Sequence, residues 1–472
     1  MPTRETQSLC PHCLRRVPAR LCDGDGRVEL VKHCDEHGET RVTVWRGEPD
    51  YWAWSRQGEA APGPGRGAQV AEDCPTACGL CDGHRRSTCC VLVDVTERCD
   101  LGCAVCYASS APAPGEDPPL EELARRFAAL AELAPKSNVQ LSGGEPTLRD
   151  DLPEVVALGR SFGFPFFQVN SNGLRLAAEP AYAQKLAATG LSTVFLQFDG
   201  ATDEPNKRLR GASLLTLKLR AIEHCAEAGL GVVLVPTLAP GVNTDQIGAL
   251  IDLALALLPT VRGVHFQPIA YFGRSSLELD PADEGRITLP EVLRAIEEQT
   301  QGRMRTSAFK PSGCEHALCS FNGEFRRLPD GRLLSLRREG GMGVGVADPV
   351  RKAAMTAQRW TTAGRSPSLC CDTARARPSC CSGAEATGTG AGGEDVWDRM
   401  LAELKGSTFS ISCMAFQDAW TIDLERLREC ALHVLSSDLR LVPFCAYNLT
   451  SGGGDPIRGA WKSRHELPAS VG

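Results

Sequence analysis

Cys99-Asp-Leu-Gly-Cys103-Ala-Val-Cys106-Tyr107 is the stretch that decides the fold of this chain. It follows residues 91–95, a short apolar segment that is typical of a buried strand. Three thiols at spacings of four and three residues can ligate three irons of one cubic iron–sulfur cluster, which leaves the fourth iron open. A structural zinc ion that is completed by a distant residue is the alternative interpretation.

A second motif ends the next predicted strand, residues 139–142. Gly143, Gly144, Glu145 and Pro146 follow at its C-terminal end, the side of a parallel sheet on which α/β proteins place their active sites. A glycine pair alone indicates no more than a turn. Because this pair comes one β-α unit after a three-cysteine loop, it indicates a cofactor site.

Strand-like and helix-like segments alternate through the middle of the chain. Six such units over residues 91–270 predict parallel strands with right-handed crossovers, either in an open doubly wound sheet or in a partial barrel. The predicted strands are residues 91–95, 139–142, 166–170, 193–198, 231–237 and 263–269. The predicted helices are residues 120–133, 152–162, 182–189, 214–228 and 245–258.

The cysteine loop and the Gly-Gly-Glu-Pro motif together resemble those of the radical S-adenosylmethionine (SAM) superfamily. The resemblance implies an α/β fold, a partial (β/α)6 TIM-type barrel, here flanked by cysteine-rich N- and C-terminal regions. It implies that Cys99, Cys103 and Cys106 hold a [4Fe-4S] cluster and that residues 143–146 bind SAM. It also implies SAM contacts at Asn172 and Asp199, although polar residues at these positions are equally consistent with simple strand ends.

The same resemblance implies an activity. In this family SAM is cleaved reductively to a 5′-deoxyadenosyl radical, which abstracts hydrogen from the substrate. The chain is therefore expected to be an enzyme that receives electrons from a low-potential donor such as flavodoxin or ferredoxin. The sequence assigns no residue that contacts the reacting carbon.

Charge and composition limit the other partners. The 472 residues carry a net charge of −7, which argues against a nucleic-acid partner. No apolar run approaches the ~20 residues of a membrane span, and no apolar signal segment occurs near the N-terminus, so we expect a cytoplasmic protein. The 22 cysteines then indicate metal binding, because disulfides are rare in the cytosol.

Two short motifs near the N-terminus predict a mononuclear metal site. Cys10-Pro-His-Cys13 and Cys34-Asp-Glu-His37 supply two knuckles for one tetrahedral zinc ion or rubredoxin-like iron. Cys22 competes with His37 for the fourth position.

The remaining cysteines predict further centres. Cys74, Cys78 and Cys81 repeat the spacing of the main loop and predict an auxiliary [4Fe-4S] cluster, for which a structural zinc ion is the alternative. Cys89 or Cys90 is the candidate for its fourth ligand. A further centre is predicted from Cys314, Cys319, Cys413, Cys430 and Cys445. Cys225 is expected to be a core thiol, and ligation and chance are equally consistent with Cys370, Cys371, Cys380 and Cys381.

Shifts in composition divide the chain into five predicted segments. They are a metal-binding N-terminal domain (1–56), a Pro/Gly-rich linker (57–70), an auxiliary cysteine segment (71–90), the core barrel (91–295) and a cysteine-rich C-terminal domain (296–472). The last segment contains a low-complexity insertion near residues 365–394.

The whole layout resembles one subgroup, the archaeal radical SAM proteins described as tetraether lipid synthases and pterin methyltransferases. Residues 10–13, 78–81 and 444–448 carry this resemblance. It implies carbon–carbon bond formation at an unactivated carbon. The substrate is then either a lipid chain that is coupled, with peripheral membrane contact, or a small pterin-like molecule that is methylated. A long apolar tunnel would favour coupling, and a compact polar pocket would favour methylation.

Two other functions stay open from the sequence alone. One is a radical SAM peptide maturase, although the dense Cys-x2-Cys pattern of such enzymes is absent after Cys106. The other is a zinc-scaffolded binding protein without catalysis.

Overall fold

A computed structural model describes residues 3–58, 74–75, 78–81, 83–110, 116–336, 349–362, 403–404 and 406–452. The insertion predicted near residues 365–394 lies outside the described residues, as do the four doublet cysteines within it. Most of the predicted linker at 57–70 lies outside them as well.

Four antiparallel strands form an N-terminal sheet in the order β1-β2-β3-β4. They are β1 (Thr3–Leu9), β2 (Arg16–Gly24), β3 (Arg27–Cys34) and β4 (Gly38–Arg46). One face of this sheet packs with α1 (Tyr51–Ser55) into the main hydrophobic core, through side chains such as Leu30 and Trp45. The N-terminal segment is therefore joined to the rest of the protein by a shared core.

The central sheet contains the six parallel strands that the sequence predicts. They are β5 (Cys90–Thr96), β7 (Asn138–Gly143), β8 (Phe167–Ser171), β9 (Thr193–Gln197), β10 (Gly231–Val235) and β12 (Val261–Pro268), and each pairs with the next. The helices between them are α2 (Leu120–Leu133), α3 (Leu152–Ser161), α4 (Leu174–Ala178), α5 (Pro180–Ala188), α6 (Asp203–Arg210), α7 (Leu215–Glu227) and α8 (Ile247–Ala256). The predicted α/β fold, a partial barrel, is confirmed.

Strands from the C-terminal part of the chain extend both edges of this sheet. β14 (Ser320–Arg327), β15 (Leu333–Ser335) and β16 (Thr408–Met414) continue it beyond β12, and β17 (Leu432–Leu435) and β18 (Leu441–Pro443) continue it beyond β5. The sheet therefore contains strands from both sides of the predicted division at 295/296, and the domain limits themselves stay a prediction.

Shorter elements complete the fold. They are β6 (Val105–Cys106), β11 (Thr237–Leu238), β13 (Arg274–Ser275), α9 (Leu289–Gln299), α10 (Pro349–Trp360), α11 (Leu424–Leu427) and α12 (Phe444–Tyr447). Within the parts of the chain that the structure describes, no helix combines the length and the apolar character that a bilayer span requires.

The interior of the barrel has two distinct ends. The cysteine loop follows the C-terminal end of β5, and this side is called the upper end. α10 packs at the opposite side, the lower end, where the side chains of the first residues of β7 and β9 donate hydrogen bonds to it. Asn138 Nδ2 lies 3.1 Å from the Ala353 carbonyl, and Thr193 Oγ1 lies 3.0 Å from the Trp360 carbonyl. The interior is thus bounded by the cysteine loop above and by α10 below.

Candidate active site and metal centres

The three cysteines of the main loop lie together at the upper end. Cys99, Cys103 and Cys106 pack in one apolar cluster with Leu101 and Leu214, and all three line the central cavity. Burial raises the pKa of Cys99 to about 12 and also raises the pKa of Cys103. A bound cation removes this penalty, because a coordinating thiol is deprotonated outright. One buried and two half-buried thiols that face one cavity fit the predicted [4Fe-4S] cluster.

The cysteine loop is held in place from several sides. β6, within the loop, pairs with β13, and Arg274 of β13 donates from Nε to the Cys103 carbonyl at 2.8 Å. Asn172 Nδ2 donates to Asp100 Oδ1 at 2.6 Å, which ties the loop to the end of β8. The loop therefore presents its thiols from a fixed backbone, as a cluster site requires.

The glycine pair allows a close approach of two backbone segments. A Cβ atom on Gly143 would lie 2.0 Å from the Thr96 carbonyl oxygen, and one on Gly144 would lie 2.1 Å from that of Arg98. Gly143 also has a φ of +121°, which side chains disfavour. The Gly144 N–H donates to the Thr96 carbonyl at 2.9 Å. Both glycines line the cavity beside the cysteines, and their small size brings the loop onto the end of β7.

The other two residues of this motif brace the same edge. Glu145 is fully buried, and burial raises its pKa. Its carboxylate accepts hydrogen bonds from Ser171 Oγ at 2.8 Å and from the Asn172 N–H at 2.7 Å, which joins the ends of β7 and β8. Pro146 begins a short 3-10 turn, Pro146–Leu148. SAM binding by these residues stays a prediction. The side chain of Glu145 holds the ends of β7 and β8 together beside the cavity.

Asn172 and Asp199 occupy different surroundings. Asn172 lines the cavity. Asp199 is completely buried and forms a bidentate ion pair with Arg210 of α6, at 2.7 and 2.9 Å. The SAM contacts predicted for both residues stay predictions. Because the carboxylate of Asp199 already binds a guanidinium, an effect of Asp199 on SAM would pass through Arg210.

Arg210 is a site residue that the sequence did not indicate. Its Nη1 donates to the Val105 carbonyl at 2.9 Å, within the cysteine loop. Although burial dominates and raises the pKa of Cys103, the positive charge of Arg210 favours the thiolate. Lys218 of α7 is also fully buried, and its ammonium donates to the Gln197 carbonyl at 2.5 Å. Two buried cations thus lie beneath the cysteine loop, opposite the negative charge that thiolates bring.

The cavity between the two ends has a volume of about 730 Å³, in the range usual for small-molecule sites. Amide side chains project into it from successive strands, including Gln140 of β7, Asn170 of β8 and Gln197 of β9. Asn170 Nδ2 donates to Ser142 Oγ at 3.2 Å, and Ser142 Oγ lies 2.7 Å from the Tyr107 hydroxyl. Amides both donate and accept, so this surface suits a ligand with a mixed pattern of polar edges.

The N-terminal residues form a four-ligand site. Atoms of Cys10, Cys13, Cys34 and His37 lie within 4.8 Å of one another, with Cys34 Sγ 3.6 Å from His37 Nδ1. The hydrogen bond from His37 lowers the pKa of Cys34 to about 6, which favours the ligating thiolate. Cys22 pairs with Thr3 at the far end of β1, six residues and roughly 20 Å along the strand from Leu9. The geometry favours His37 as the fourth ligand.

Cys74, Cys78 and Cys81 lie close enough together to affect one another's charge. Burial raises the pKa of Cys78 to about 12, and the neighbouring thiols Cys74 and Cys81 raise it further. Both candidates for a fourth ligand, Cys89 and Cys90, line the central cavity, and the sulfur of Cys89 lies 3.0 Å from that of Cys314. The auxiliary cluster itself stays a prediction.

The C-terminal cysteines fall into separate groups. Cys319, Cys430 and Cys445 are electrostatic neighbours, and burial raises the pKa of Cys445 to about 12. Cys314 instead pairs with Cys89. Cys413 lies in the main hydrophobic core, where burial raises its pKa well above the usual range. The five predicted ligands are therefore distributed over three places.

The contact between two buried histidines, His84 and His433, was not predicted from the sequence. His433 of β17 lies three residues after Cys430. Among the described residues, neither of its ring nitrogens has a hydrogen-bond partner. Its ring lies 5.2 Å from that of His84, whose Nε2 donates to the Cys430 carbonyl at 2.8 Å. Burial lowers the pKa of His433 well below its usual range and also lowers the pKa of His84, which favours the neutral form of both imidazoles. An unpartnered neutral imidazole close to Cys430 fits a metal-rich region.

Comparison with known protein families gives two matches. The model described as the radical SAM superfamily matches residues 93–254, and the model described as the HMPTM N-terminal zinc ribbon domain matches residues 2–46. The first range contains the cysteine loop and the Gly-Gly-Glu-Pro motif, and the second contains the four-ligand site.

Individual relatives differ in how much of the chain they cover. The 7,8-dihydro-6-hydroxymethylpterin dimethyltransferase of Methanocaldococcus jannaschii is 34% identical over 94% of this chain and 93% of its own length. The mycofactocin maturase MftC of Mycobacterium ulcerans is 29% identical over 49% of this chain and 62% of its own. Among solved structures, Streptococcus suis SuiB bound to S-adenosylmethionine is 15% identical, with a TM-score of 0.37 over 46% of this chain and 48% of that one.

Proposed function

The chain belongs to the radical SAM superfamily, among proteins like 7,8-dihydro-6-hydroxymethylpterin dimethyltransferase, and we propose that it methylates the carbon framework of a reduced pterin. Membership makes the chain an enzyme with a [4Fe-4S] cluster and SAM as cofactors. The non-catalytic binding module is thereby rejected. Pterin as substrate, and a new carbon–carbon bond as product, are the proposal.

The cluster and SAM supply the reactive species when bound, a 5′-deoxyadenosyl radical that abstracts hydrogen. The chain's own residues position and enclose this chemistry. Cys99, Cys103 and Cys106 supply three ligands, and Arg210 fixes the loop that carries them through the Val105 carbonyl. The strands of the barrel surround the cavity, so a bound substrate is shielded from bulk water.

The observation that carries the proposal is the compact cavity with amides on its walls. A pterin presents alternating donors and acceptors around a flat bicyclic ring, which amide side chains can match. Coupling of lipid chains would require an extended apolar channel. Gln140, Asn170 and Gln197 add polar groups to the walls of this cavity, which a channel for lipid chains would not need.

Peptide modification is the second candidate, and one observation favours it. The mycofactocin maturase MftC resembles half of this chain. The similarity to the pterin dimethyltransferase extends over 94% of the chain, and the HMPTM zinc ribbon model matches residues 2–46, which contain the N-terminal metal site. The broader similarity therefore favours the pterin as the substrate to test first.

The test uses the cluster-loaded protein with SAM, a low-potential reductant and 6-hydroxymethyl-7,8-dihydropterin that is deuterated on its ring and side-chain carbons. Deuterium in 5′-deoxyadenosine, together with a pterin product heavier by one or two CH2 units, is expected. Separate arms supply methyl-labelled SAM or a labelled one-carbon folate, which identifies the source of the added carbon. Mass spectrometry reads both products.

A matched control uses Cys103→Ala, in which neither product should form. Formation of 5′-deoxyadenosine without deuterium, from a pterin recovered unchanged, would contradict the proposal. Addition of cysteine-containing peptides to the same assay then tests the maturase alternative.

A further inference from the structure

Two charged side chains, Arg359 and Glu324, form a pair at the lower end of the cavity, and the proposed reaction assigns them no role so far. Arg359, in the last turn of α10, donates from Nη2 to Glu324 Oε1 of β14. Glu324 lies opposite Ser410 of β16, which lies opposite Gly263, near the start of β12. The pair is therefore level with the N-terminal ends of the parallel strands, away from the cysteine loop.

Both charged side chains face the cavity. Arg359 and Glu324 line it and retain 15% and 31% of their side-chain exposure. Among the described residues, the hydrogen bond between them uses one carboxylate oxygen and one guanidinium nitrogen. The other carboxylate oxygen and further N–H groups are left for a ligand. Desolvation makes such a pair a poor source of stability, whereas it can recognise a polar ligand strongly.

An uncharged aromatic wall stands beside this pair. The ring of Trp360 lies 4.8 Å from that of Phe195 and 6.4 Å from that of His265, between centroids. Burial lowers the pKa of His265 to about 4, and its Nδ1 lies 2.8 Å from Ser412 Oγ, so the imidazole is neutral. A flat heterocycle can pack against such rings while its edge reaches charged groups.

The geometry points to the lower end as the subsite for a 2-amino-4-oxopyrimidine ring, an inference that rests on the proposed function. Glu324 accepts hydrogen bonds from the 2-amino group and from the ring N3–H. Arg359 donates to the 4-oxo oxygen, and the ring packs against Trp360. Strand β9 has five residues between the two ends, which separates them by roughly 13 Å. The far side of a bicyclic substrate then points towards the cysteine loop.

Pterins, folates and guanosine share this ring edge, so three ligands are compared. Binding of 6-hydroxymethylpterin, folate and guanosine to the cluster-loaded protein is measured by fluorescence or calorimetry. A fourth ligand, 6-hydroxymethyllumazine, carries an oxo group in place of the 2-amino group. The pterin should bind tightest. The lumazine should bind at least about tenfold more weakly, because its 2-oxo oxygen replaces one of the two donors to the carboxylate and places an acceptor against it.

Glu324→Gln tests the assignment directly. Loss of the charge-assisted hydrogen bonds should weaken pterin binding about tenfold or more, whereas lumazine, whose 2-oxo oxygen can accept from the new amide, should bind at least as well as before. The matched control is Asp252→Asn, which removes one partner of the exposed ion pair with Arg303 and should change neither affinity. Iron content and thermal melting check that each variant is folded.

A second variant keeps the test valid if Glu324→Gln does not fold. Trp360→Phe retains an aromatic ring, so pterin should still bind, but the quenching of tryptophan emission by bound pterin should fall. Equal pterin affinity in wild type and Glu324→Gln, or unchanged quenching in Trp360→Phe, would overturn the subsite and leave the proposed function standing. Binding of guanosine or folate but not the pterin would support the subsite and overturn the proposed substrate. Failure of all the ligands to bind would overturn both.

Discussion

The N-terminal metal site and the main cysteine loop use the same side chains for different purposes. In the first, Cys10, Cys13, Cys34 and His37 bring four ligand atoms together, and the set is complete without any other molecule. In the second, three thiols line a cavity of about 730 Å³. A closed tetrahedral shell is typical of a structural ion, whereas an incomplete ligand set beside a cavity leaves room for a substrate.

The surroundings of the two sites sharpen this difference. The N-terminal sheet is fixed to the C-terminal part of the chain through Lys32, whose ammonium donates to the carbonyls of Ala419 and Trp420 at 2.8 and 2.7 Å. The cysteine loop instead has Arg210 and Lys218 beneath it. Position in the fold, and not cysteine spacing alone, therefore separates a site that stabilises from a site that reacts.

The largest expected effect comes from removing a ligand of the open site. Replacement of Cys99, Cys103 or Cys106 by Ala should abolish SAM cleavage, because each change takes one of three protein ligands from the cluster. The measurement is 5′-deoxyadenosine formed by reconstituted protein. Cys225→Ala is the control, since this fully buried thiol lies on α7 in the main core and should be dispensable for cleavage. Retained 5′-deoxyadenosine in any of the three loop variants would refute the assignment.

Removal of a ligand from the four-ligand N-terminal site, called the closed site, should have a different effect. Cys34→Ser should lose one metal ion per chain and lower the melting temperature, because structural zinc contributes about 10 kcal/mol or more to the folding of isolated zinc peptides. The loss here should be smaller, since the N-terminal sheet also shares the main core. Some SAM cleavage should persist, and Cys22→Ser should behave as wild type. Complete loss of cleavage with an intact SAM cluster would instead give the N-terminal metal a part in electron delivery.

Arg210 should affect both stability and the cluster. Arg210→Gln leaves Asp199 buried without its cation, which should cost about 3–5 kcal/mol of unfolding free energy. Since the same guanidinium holds the cysteine loop, the electron paramagnetic resonance (EPR) signal of the reduced cluster should also change. Arg303→Gln, at the exposed pair with Asp252, should shift stability by no more than about 0.5 kcal/mol. A variant that lost stability but kept the wild-type EPR signal would confine Arg210 to a structural role.

The smallest effect concerns pH. Burial lowers the pKa of Lys218 from 10.5 to about 8, so between these values the unfolded chain binds more protons than the folded one. Stability from this group should therefore rise as pH increases through that window, and the penalty is fully present below pH 8. Lys218→Met should remove this part of the pH dependence, a few kcal/mol at most. Identical slopes of unfolding free energy against pH in both proteins would contradict it.

Much of this architecture follows from local sequence signals. Six apolar strands with five helices between them predict the parallel sheet correctly, because buried strands and helices have distinct periodicities. The joining of β14–β18 to the same sheet was not predicted. The pairings that attach them, β16 with β12 and β17 with β5, join segments that lie far apart in sequence, and such long-range pairing leaves no periodic trace in a single chain.

The support beneath the cysteine loop was missed for a related reason. Five of the eight residues of α6 are charged, so it lacks the apolar stripe that marks a helix, and Arg210 stands at its end. Only the fold shows that this arginine meets Asp199 and the Val105 carbonyl. The glycine motif was found, but its dependence on the close approach of Thr96 and Arg98 required the structure.

Contact between SAM and the open site is the central claim, and electron–nuclear double resonance tests it most directly. The reduced, cluster-loaded protein is measured with SAM that carries 15N in its amino group and 17O in its carboxylate. We expect hyperfine coupling from both nuclei to the cluster in wild type and in Cys34→Ser, because the closed site takes no part in SAM binding. Absence of coupling in wild type, or its loss in Cys34→Ser with the cluster intact, would contradict the account.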